Sequence, residues 1–336
     1  MHDTHLTTAT PDPRLDRAVG ALVGLAVGDA LGMPTQSLSR EQICAQFGQI
    51  HGLHDAAPDQ PIAPGMPAGS VTDDTEQAII VAQLLLAGDG HVDAHDFAHA
   101  LSTWQHHMVE RGSQDLLGPS TNAAISALAS GVAPEEAGRH GTTNGGAMRV
   151  TPVGVAVETG PRLLPTVVES CFVTHNTGLG ISAAAVIAAA VSAGVDGADV
   201  AASLAAGIDL SRAGEKLGHW VAGASIPERF LALRPQTVAL QGTDFSDYLY
   251  RVVGTSVQSQ ESVVSALLIA DHYREDPWAG VCAAASLGGD TDTIAAMAGA
   301  ILGASHGAAA FPRDVRQKIS EVNHLDLEAL AGRLLA

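Results

Sequence analysis

The sequence predicts an all-α protein with a single domain, and three observations lead to this prediction. Ten segments carry helical periodicity or strong helix formers. Period-two alternation bounded by turns is nearly absent; only residues 149–157 hint at extended structure, and their Thr-Pro step suits a helix start equally well. Hydrophobic residues make up 46% of the 336 residues but aromatic residues only 4%, so the core is expected to consist of Ala, Leu, Val and Ile. Such a composition is typical of closely packed helices.

The first predicted helix, residues 15–31, carries Gly20, Gly24 and Gly28 on one face at four-residue spacing. Such a stripe lets the backbone of another helix approach closely. It does not match the G-x-G-x-x-G pattern of dinucleotide-binding proteins, so it is interpreted as a packing feature. The other predicted helices, in chain order, are residues 76–87, 96–108, 121–129, 181–195, 200–206, 262–273, 276–286, 293–303 and 312–319.

The longest apolar stretch, residues 181–195, is broken by Ser and Gly and is too short to span a bilayer, which favours a buried helix. Two Pro/Gly-rich segments, residues 58–69 and 138–146, are predicted to be long loops within the domain. Helical patterns resume on both sides of each segment without a shift in composition, so neither indicates a domain boundary.

Charge and cysteine content exclude some classes of protein. With 17 Lys and Arg against 36 Asp and Glu, the chain has a formal net charge of -19 and no general electrostatic footprint for nucleic acid or an anionic membrane. Cys44, Cys171 and Cys282 show no CxxC spacing and predict reduced core residues of a cytoplasmic protein. The polar residues 1–13 predict a flexible tail, and no secretory signal is expected there.

Two short acidic motifs lie far apart in the chain: residues 70–76, SVTDDTE, and residues 288–293, GGDTDT. Each opens an apolar, alanine-rich run. Carboxylates and hydroxyls spaced this closely are hard oxygen ligands for Mg²⁺ or a similar cation, and two such clusters meeting in the fold could hold a two-metal centre. A metal-assisted hydrolase is therefore the leading interpretation.

Helix capping is the alternative interpretation of each motif taken alone. Asp, Ser and Thr at a helix start satisfy free N–H groups and complement the helix dipole, and Asp73 with Glu76 would form an acidic version of a capping box. Capping needs one good side chain per helix, however, whereas each motif supplies two aspartates. Like charges at one helix start repel unless a cation lies between them, so the doubled arrangement favours metal. A calcium loop of the EF-hand type is not expected, because its glycine and closing Glu are missing.

Three segments resemble the signatures of the ADP-ribosylglycohydrolase family, also called the ADP-ribosylhydrolase or dinitrogenase reductase-activating glycohydrolase family: residues 24–32, GLAVGDALG, residues 71–75, VTDDT, and residues 288–295, GGDTDTIA. The resemblance implies a compact orthogonal multi-helix domain over residues 14–336. It also implies that ADP-ribose binds with its distal ribose hydroxyls on two Mg²⁺ ions, or Mn²⁺, while a nearby water attacks the anomeric carbon. The implied metal ligands are Thr72, Asp73, Asp74, Asp290, Asp292 and Thr293.

Two middle segments, NGGAMR at residues 144–149 and THN at residues 174–176, resemble the substrate loops of the family. In the first, glycine would let successive backbone N–H groups approach a phosphate, although an ordinary turn explains the same pattern. Ser120 is a further candidate and is equally explained as a helix cap. The substrate-binding residues implied by the resemblance are Ser120, Asn144, Gly145, Gly146, Met148 and His175.

One position departs from the family pattern. Many members carry Glu a few residues after the first signature, where this chain has Gln36, and a neutral amide cannot accept a proton as a carboxylate does. The catalytic residues are expected to be Asp73, Asp74 and Gln36. Either an aspartate acts as the base, or a metal-bound water needs none, or the substrate differs from that of better-known members, as in a subfamily acting on a smaller ribosylated compound.

The expected function is that of a Mg²⁺-dependent N- or O-glycoside hydrolase that removes ADP-ribose from a protein side chain or a small acceptor. One alternative is a hydrolase of small ribosides or nucleosides, and another is a non-catalytic relative that binds ADP-ribose, since the resemblance extends to crystallin-like proteins. The acceptor would touch the variable outer loops, predicted at residues 48–69 and 223–242, so its identity does not follow from the motifs.

Overall fold

The computed structural model describes residues 12–113 and 117–336, which form eighteen α-helices and no β-sheet. Isolated bridges join Thr143 to Gln258 and Thr177 to His219. The prediction of an all-α, single-domain protein is confirmed. In chain order the helices are α1 (Pro13–Gly32), α2 (Arg40–Phe47), α3 (Asp73–Ala87), α4 (Ala94–Glu110), α5 (Pro119–Ala129), α6 (Pro134–Ala137), α7 (Gly145–Met148), α8 (Thr151–Ala156), α9 (Leu163–Cys171), α10 (Gly178–Val195), α11 (Val200–Gly214), α12 (Ile226–Thr237), α13 (Gly242–Tyr248), α14 (Ser259–His272), α15 (Pro277–Ala285), α16 (Thr291–His306), α17 (Arg313–Asn323) and α18 (Leu327–Leu335).

All ten predicted helices are present, and several are longer than predicted. Residues 149–157, which hinted at extended structure, contain helix α8 instead. The prediction of an outer loop over residues 223–242 is wrong, because α12 occupies most of it. Ser225 starts this helix by accepting the N–H of Glu228, and Pro227 lies in its first turn, where a missing N–H costs nothing.

The centre of the fold is an antiparallel pair formed by α1 and α16. The glycine stripe of α1 faces α16 so closely that a Cβ built on Gly20, Gly24 or Gly28 would lie 2.3, 2.0 or 2.0 Å from a carbonyl oxygen of that helix. Those oxygens belong to Gly303, Gly299 and Ala295, respectively. The two backbones are thus in direct contact, as the stripe predicts, and the pairing positions the ends of both helices.

Helix α10 is the most apolar core helix, and residues 179–195 are all buried. By length and composition alone, Gly178–Val195 and Pro13–Thr35 could each cross a membrane, but 89% and 94% of these stretches are buried inside the fold. Both are core helices, and the prediction of a buried helix at residues 181–195 is confirmed.

Two smaller predictions need adjustment. Cys171 and Cys282 are buried as predicted, but Cys44 is exposed, because α2 buries only Ile43. Most of the predicted tail, residues 1–11, lies outside the described residues. The last two tail positions belong to the first helix: the Asp12 side chain accepts the N–H of Arg14, and Pro13 begins α1.

Candidate active site

The two acidic motifs, far apart in sequence, begin two helices whose starts lie side by side. Helix α3 begins at Asp73 and α16 at Thr291, and the Thr293 hydroxyl donates a hydrogen bond of 3.2 Å to Asp74 Oδ2. The pKa of Asp74 is raised well above its ordinary value, first by burial and then by the negative charges of Asp292, Asp73, Asp29 and Asp290. The structure therefore brings the predicted metal ligands of both motifs together in one acidic cluster.

Contacts at the end of α1 position the second motif. Gly32 touches it directly, because a Cβ on this residue would lie 2.3 Å from the Cα of Asp292. The Ser37 N–H donates to the Gly289 carbonyl at 2.7 Å. Gly288 and Gly289 have φ of +91° and +84°, a conformation that other residues rarely adopt, and a Cβ on Gly289 would lie 2.4 Å from a neighbouring carbonyl oxygen. The tight turn that presents Asp290 thus requires both glycines.

The carboxylate of Asp29, buried in α1, holds the start of α3. It accepts the Thr72 N–H at 3.0 Å and hydroxyl at 2.7 Å, and the Thr75 N–H at 3.1 Å and hydroxyl at 2.5 Å. Burial raises the pKa of Asp29 to about 6, while these hydrogen bonds lower it. Asp29 was not among the predicted site residues. The available signal was an aspartate inside an otherwise apolar helical stretch, which in a buried helix needs such partners.

The capping interpretation of the motifs is not supported by these contacts. Thr72 and Asp290 occupy the N-cap positions of α3 and α16, and neither makes a side-chain capping hydrogen bond. Glu76 does not form a capping box with Asp73; its carboxylate accepts the indole N–H of Trp104 at 2.5 Å. Asp29, which belongs to α1, accepts the backbone N–H groups of Thr72 and Thr75 at the start of α3. The motif's own aspartates are therefore not needed as caps of this helix.

The donor chemistry of the cluster fits a hard cation. Carboxylate and hydroxyl oxygens meet there, and the buried Asp74 Oδ1 makes no hydrogen bond. Within residues 12–113 and 117–336, however, no group of three or more His, Cys, Asp and Glu side chains could by itself hold a metal ion. Mg²⁺ usually takes one or two protein carboxylates and fills its remaining positions with water and substrate oxygens, so an incomplete set of protein carboxylates is compatible with it. The predicted ligand set remains a prediction.

Asn144 lies directly against the second motif. Its side-chain amide donates to Asp290 Oδ2 at 2.5 Å and to the Ser262 hydroxyl at 2.9 Å. Burial raises the pKa of Asp290 to about 6, and the hydrogen bonds from Asn144 and Thr293 lower it. Asn144, predicted to bind substrate, thus already orients one of the predicted metal ligands.

Ser120 supports the same segment from the neighbouring helix. Its hydroxyl accepts the N–H groups of Thr142 and Thr143, both at 3.3 Å. It is not the cap of α5, because Gly118 occupies that position, so the capping alternative is wrong for Ser120. The structure places this residue behind residues 142–144, and a contact with substrate remains a prediction.

Residues 145–148 form the short helix α7, in which the N–H groups of Ala147 and Met148 donate to the carbonyl of Asn144. Both glycines of this turn are buried and face a side chain. A Cβ on Gly145 would lie 3.0 Å from the His175 ring, and one on Gly146 would lie 3.2 Å from a cysteine sulfur. Glycine is therefore needed here for packing, and Met148 is also buried. Phosphate binding by this turn remains a prediction.

His175 is fully buried behind the turn. Its Nδ1 pairs with the Thr174 hydroxyl at 2.8 Å and its Nε2 with the Thr143 hydroxyl at 3.1 Å. Burial, and then the charge of Arg149, lower its pKa well below the ordinary value, which favours the neutral form of the ring. With both nitrogens engaged, His175 supports the turn that carries Asn144, and direct substrate binding by this ring remains a prediction.

Gln36 follows the short 3₁₀ turn after α1, and only 6% of it is exposed. Its carbonyl accepts the side-chain amide of Gln60 at 2.8 Å, whereas its own Nε2 is buried and makes no hydrogen bond. A buried amide donor without a partner is rare in native proteins, so this group is a candidate contact for a bound ligand.

Comparisons with known proteins identify the family of this chain. The family model of ADP-ribosylglycohydrolase matches residues 10–336. The uncharacterized protein YegU of Escherichia coli K12 is 32% identical over 331 residues, which cover 96% of this chain and 97% of YegU. The ADP-ribosyl-[dinitrogen reductase] glycohydrolase of Rhodospirillum rubrum is 25% identical, with 96% of each chain covered. A solved structure of an ADP-ribosylglycohydrolase-related protein complex is 26% identical, covers 96% of this chain and 97% of its own, and superimposes with a TM-score of 0.69. This chain belongs to the ADP-ribosylglycohydrolase family.

Proposed function

We propose that this protein is a divalent-metal-dependent glycohydrolase that cuts the bond to the ribose anomeric carbon and releases ADP-ribose from a protein side chain. Membership of the family supports hydrolysis of ADP-ribose linkages. The name of the Rhodospirillum rubrum relative supports a modified protein as the substrate. The observation that carries the metal part of the proposal is Asp74, a carboxylate buried among four others with one oxygen that makes no hydrogen bond.

The cation-binding residues would be the four aspartates of the two motifs with the hydroxyls of Thr72 and Thr293. When bound, Mg²⁺ or Mn²⁺ supplies fixed positions for the ribose hydroxyls, a lowered pKa for water and stabilisation of charge as the glycosidic bond breaks. The chain itself supplies the preorganised geometry. Asp29 fixes Thr72 and the start of α3, and Asn144 fixes the Asp290 carboxylate.

We assign the acceptance of the proton from the attacking water to Asp73. Gln36 cannot accept a proton in its place, because a neutral amide is not a base. Asp73 is partly exposed, while Asp74 is buried, so Asp73 is the more accessible carboxylate of the first motif. The Nε2 of Gln36, which makes no hydrogen bond, is available to donate one to an oxygen of the substrate.

The test is a product assay on a panel of ADP-ribosylated proteins and small ribosides, with Mg²⁺ and with EDTA. The proposal expects free ADP-ribose only when the metal is present. Asp74→Asn should abolish this release, whereas Asp209→Asn, which removes a carboxylate from an 83% exposed side chain, should not. Free ribose from small ribosides without ADP-ribose release would favour the riboside hydrolase. ADP-ribose binding without turnover would favour a non-catalytic relative.

A further inference from the structure

Arg149 is a fully buried cation that the proposed function does not yet use. Its Nη1 donates to Gln77 Oε1 at 3.0 Å and its Nη2 to the Thr174 hydroxyl at 2.5 Å. Its guanidinium carbon lies 4.7 Å from the centre of the Phe97 ring. Burial lowers its pKa to about 10, and the charge of Asp73 opposes that change. Burying a charged group costs free energy unless it is hydrogen-bonded and paired, so the partners of the Arg149 guanidinium indicate its role.

The contact with Arg149 determines which way the Gln77 amide faces. A guanidinium only donates hydrogen bonds, so only the oxygen of the amide can face it, and the NH₂ group must face the other way. On that side Gln77 Nε2 donates to Asp73 Oδ2 at 2.7 Å. Gln77 is fully buried and lies one helical turn after Asp73, where the two side chains are neighbours. Arg149 therefore acts on the Asp73 carboxylate through one oriented amide.

Residues 144–149, which comprise α7 and its two flanking residues, contact both acidic motifs. At the start of this segment Asn144 donates to Asp290 of the second motif. At its end Arg149 acts through Gln77 on Asp73 of the first motif. One rigid turn is thus linked to one carboxylate from each motif, at the place where the two motifs meet.

We propose that Arg149 is a positioning residue of the metal centre: through Gln77 it orients the Asp73 carboxylate, so that the segment 144–149 holds one predicted metal ligand of each motif in place. This inference rests on the proposed function. Residues that orient metal ligands without touching the metal typically affect metal affinity about 10–100-fold.

Titration calorimetry of the full chain with MnCl₂ and with MgCl₂ tests this role. Gln77→Met keeps the size of the side chain and removes the amide, and Arg149→Lys keeps the charge but loses the forked donor geometry. Both should weaken metal binding about 10–100-fold while circular dichroism shows an intact helical fold. Gln317→Met is the matched control, because it removes an exposed amide that donates to the Glu321 carboxylate one helical turn later in α17, and its metal affinity should equal that of the wild type.

Contrary results separate this inference from the proposed function. Wild-type affinity in Gln77→Met and Arg149→Lys would make Arg149 a purely structural residue and leave the proposed function intact. Equal losses in all three variants would indicate general destabilisation and would also overturn the inference. If the wild type binds neither metal, the proposed metal centre itself is wrong and this inference falls with it. Should Arg149→Lys not fold, wild-type affinity in Gln77→Met still overturns the inference, because Arg149 is proposed to act on Asp73 through this amide.

Discussion

Replacing Gly28 by alanine tests whether the direct contact between α1 and α16 sets the position of the acidic motifs. A Cβ on residue 28 would lie 2.0 Å from the carbonyl oxygen of Ala295 and 2.6 Å from the backbone nitrogen of Ala296. Carbon–oxygen contacts between packed helices are about 3.3 Å or longer, so the two helices would have to separate by about 1 Å. All three nearest atoms belong to backbone, so no side-chain rotation relieves the clash.

Two opposing effects determine how much the free energy of unfolding decreases in Gly28→Ala. Alanine is preferred over glycine inside a helix by about 1 kcal/mol, whereas overpacking a core costs about 1–3 kcal/mol and sometimes more. Because rigid backbone lies in the way, we expect the upper end of the cost and a net loss of about 2 kcal/mol in the free energy of unfolding. The same separation of the two helices would shift Asp29, which lies in α1, and would loosen the contact of Gly32 with Asp292. A misplacement of about 1 Å can reduce activity about 100-fold.

Urea unfolding and Mn²⁺ titration of Gly28→Ala measure both effects. Gly332→Ala in α18 is the matched control, because its Cβ would meet its nearest neighbour at 4.0 Å, an ordinary contact. This control should gain about 0.5–1 kcal/mol from helix propensity. If Gly28→Ala is as stable as the wild type and binds Mn²⁺ equally well, the α1–α16 contact does not set the site geometry and the reasoning is refuted.

Three further predictions concern the site. Asp74→Asn replaces a carboxyl group whose pKa is raised by burial and by neighbouring carboxylates, so the metal-free variant should melt at a higher temperature than the wild type. The variant should also lose the rise in melting temperature that Mg²⁺ causes in the wild type. Scanning fluorimetry that shows an unchanged response to Mg²⁺ would contradict this prediction. Gln36→Glu should lower the rate of ADP-ribose release, because it replaces a donor with a carboxylate; an increase of about 100-fold or more would show instead that Gln36 occupies the place of a lost base. The pKa of His175 is depressed in the folded protein, so at pH values below the ordinary 6.5 the unfolded chain binds a proton that the folded chain does not, and the free energy of unfolding decreases as the pH is lowered. In urea unfolding between about pH 7 and pH 5, His175→Asn should lose less stability than the wild type. The same loss of stability in both proteins would refute this prediction.

The sequence predicts the helices and the cluster of acidic motifs for local reasons. Helical periodicity is a property of each segment, so it identifies α1, α10 and α16 without tertiary information. The glycine stripe predicts a close helix partner, although it does not say which helix. Two aspartates at each of two helix starts predict that the motifs meet, because their repulsion needs a common cation.

The unpredicted parts of the site depend on tertiary contacts. Asp29 caps α3 from 43 residues earlier in the chain, and Arg149 reaches Gln77 across 72 residues. A buried aspartate or arginine has no periodicity that names its partner, so these roles become visible only in the packed structure. The exposure of Cys44 and the helix α12 within a predicted loop were missed because short segments have weak patterns.

The central claim is that the two acidic motifs form one metal centre, and anomalous scattering from crystals grown with Mn²⁺ tests it most directly. The account predicts two peaks about 3.5–4 Å apart, with oxygens of Asp73 and Asp74 on one side and of Asp290 and Asp292 on the other. The metal-bound crystals should show the Asp74 Oδ1, which makes no hydrogen bond in the present structure, pointing at a peak. Crystals that diffract well but show no peak between the motifs at saturating Mn²⁺ would contradict the claim.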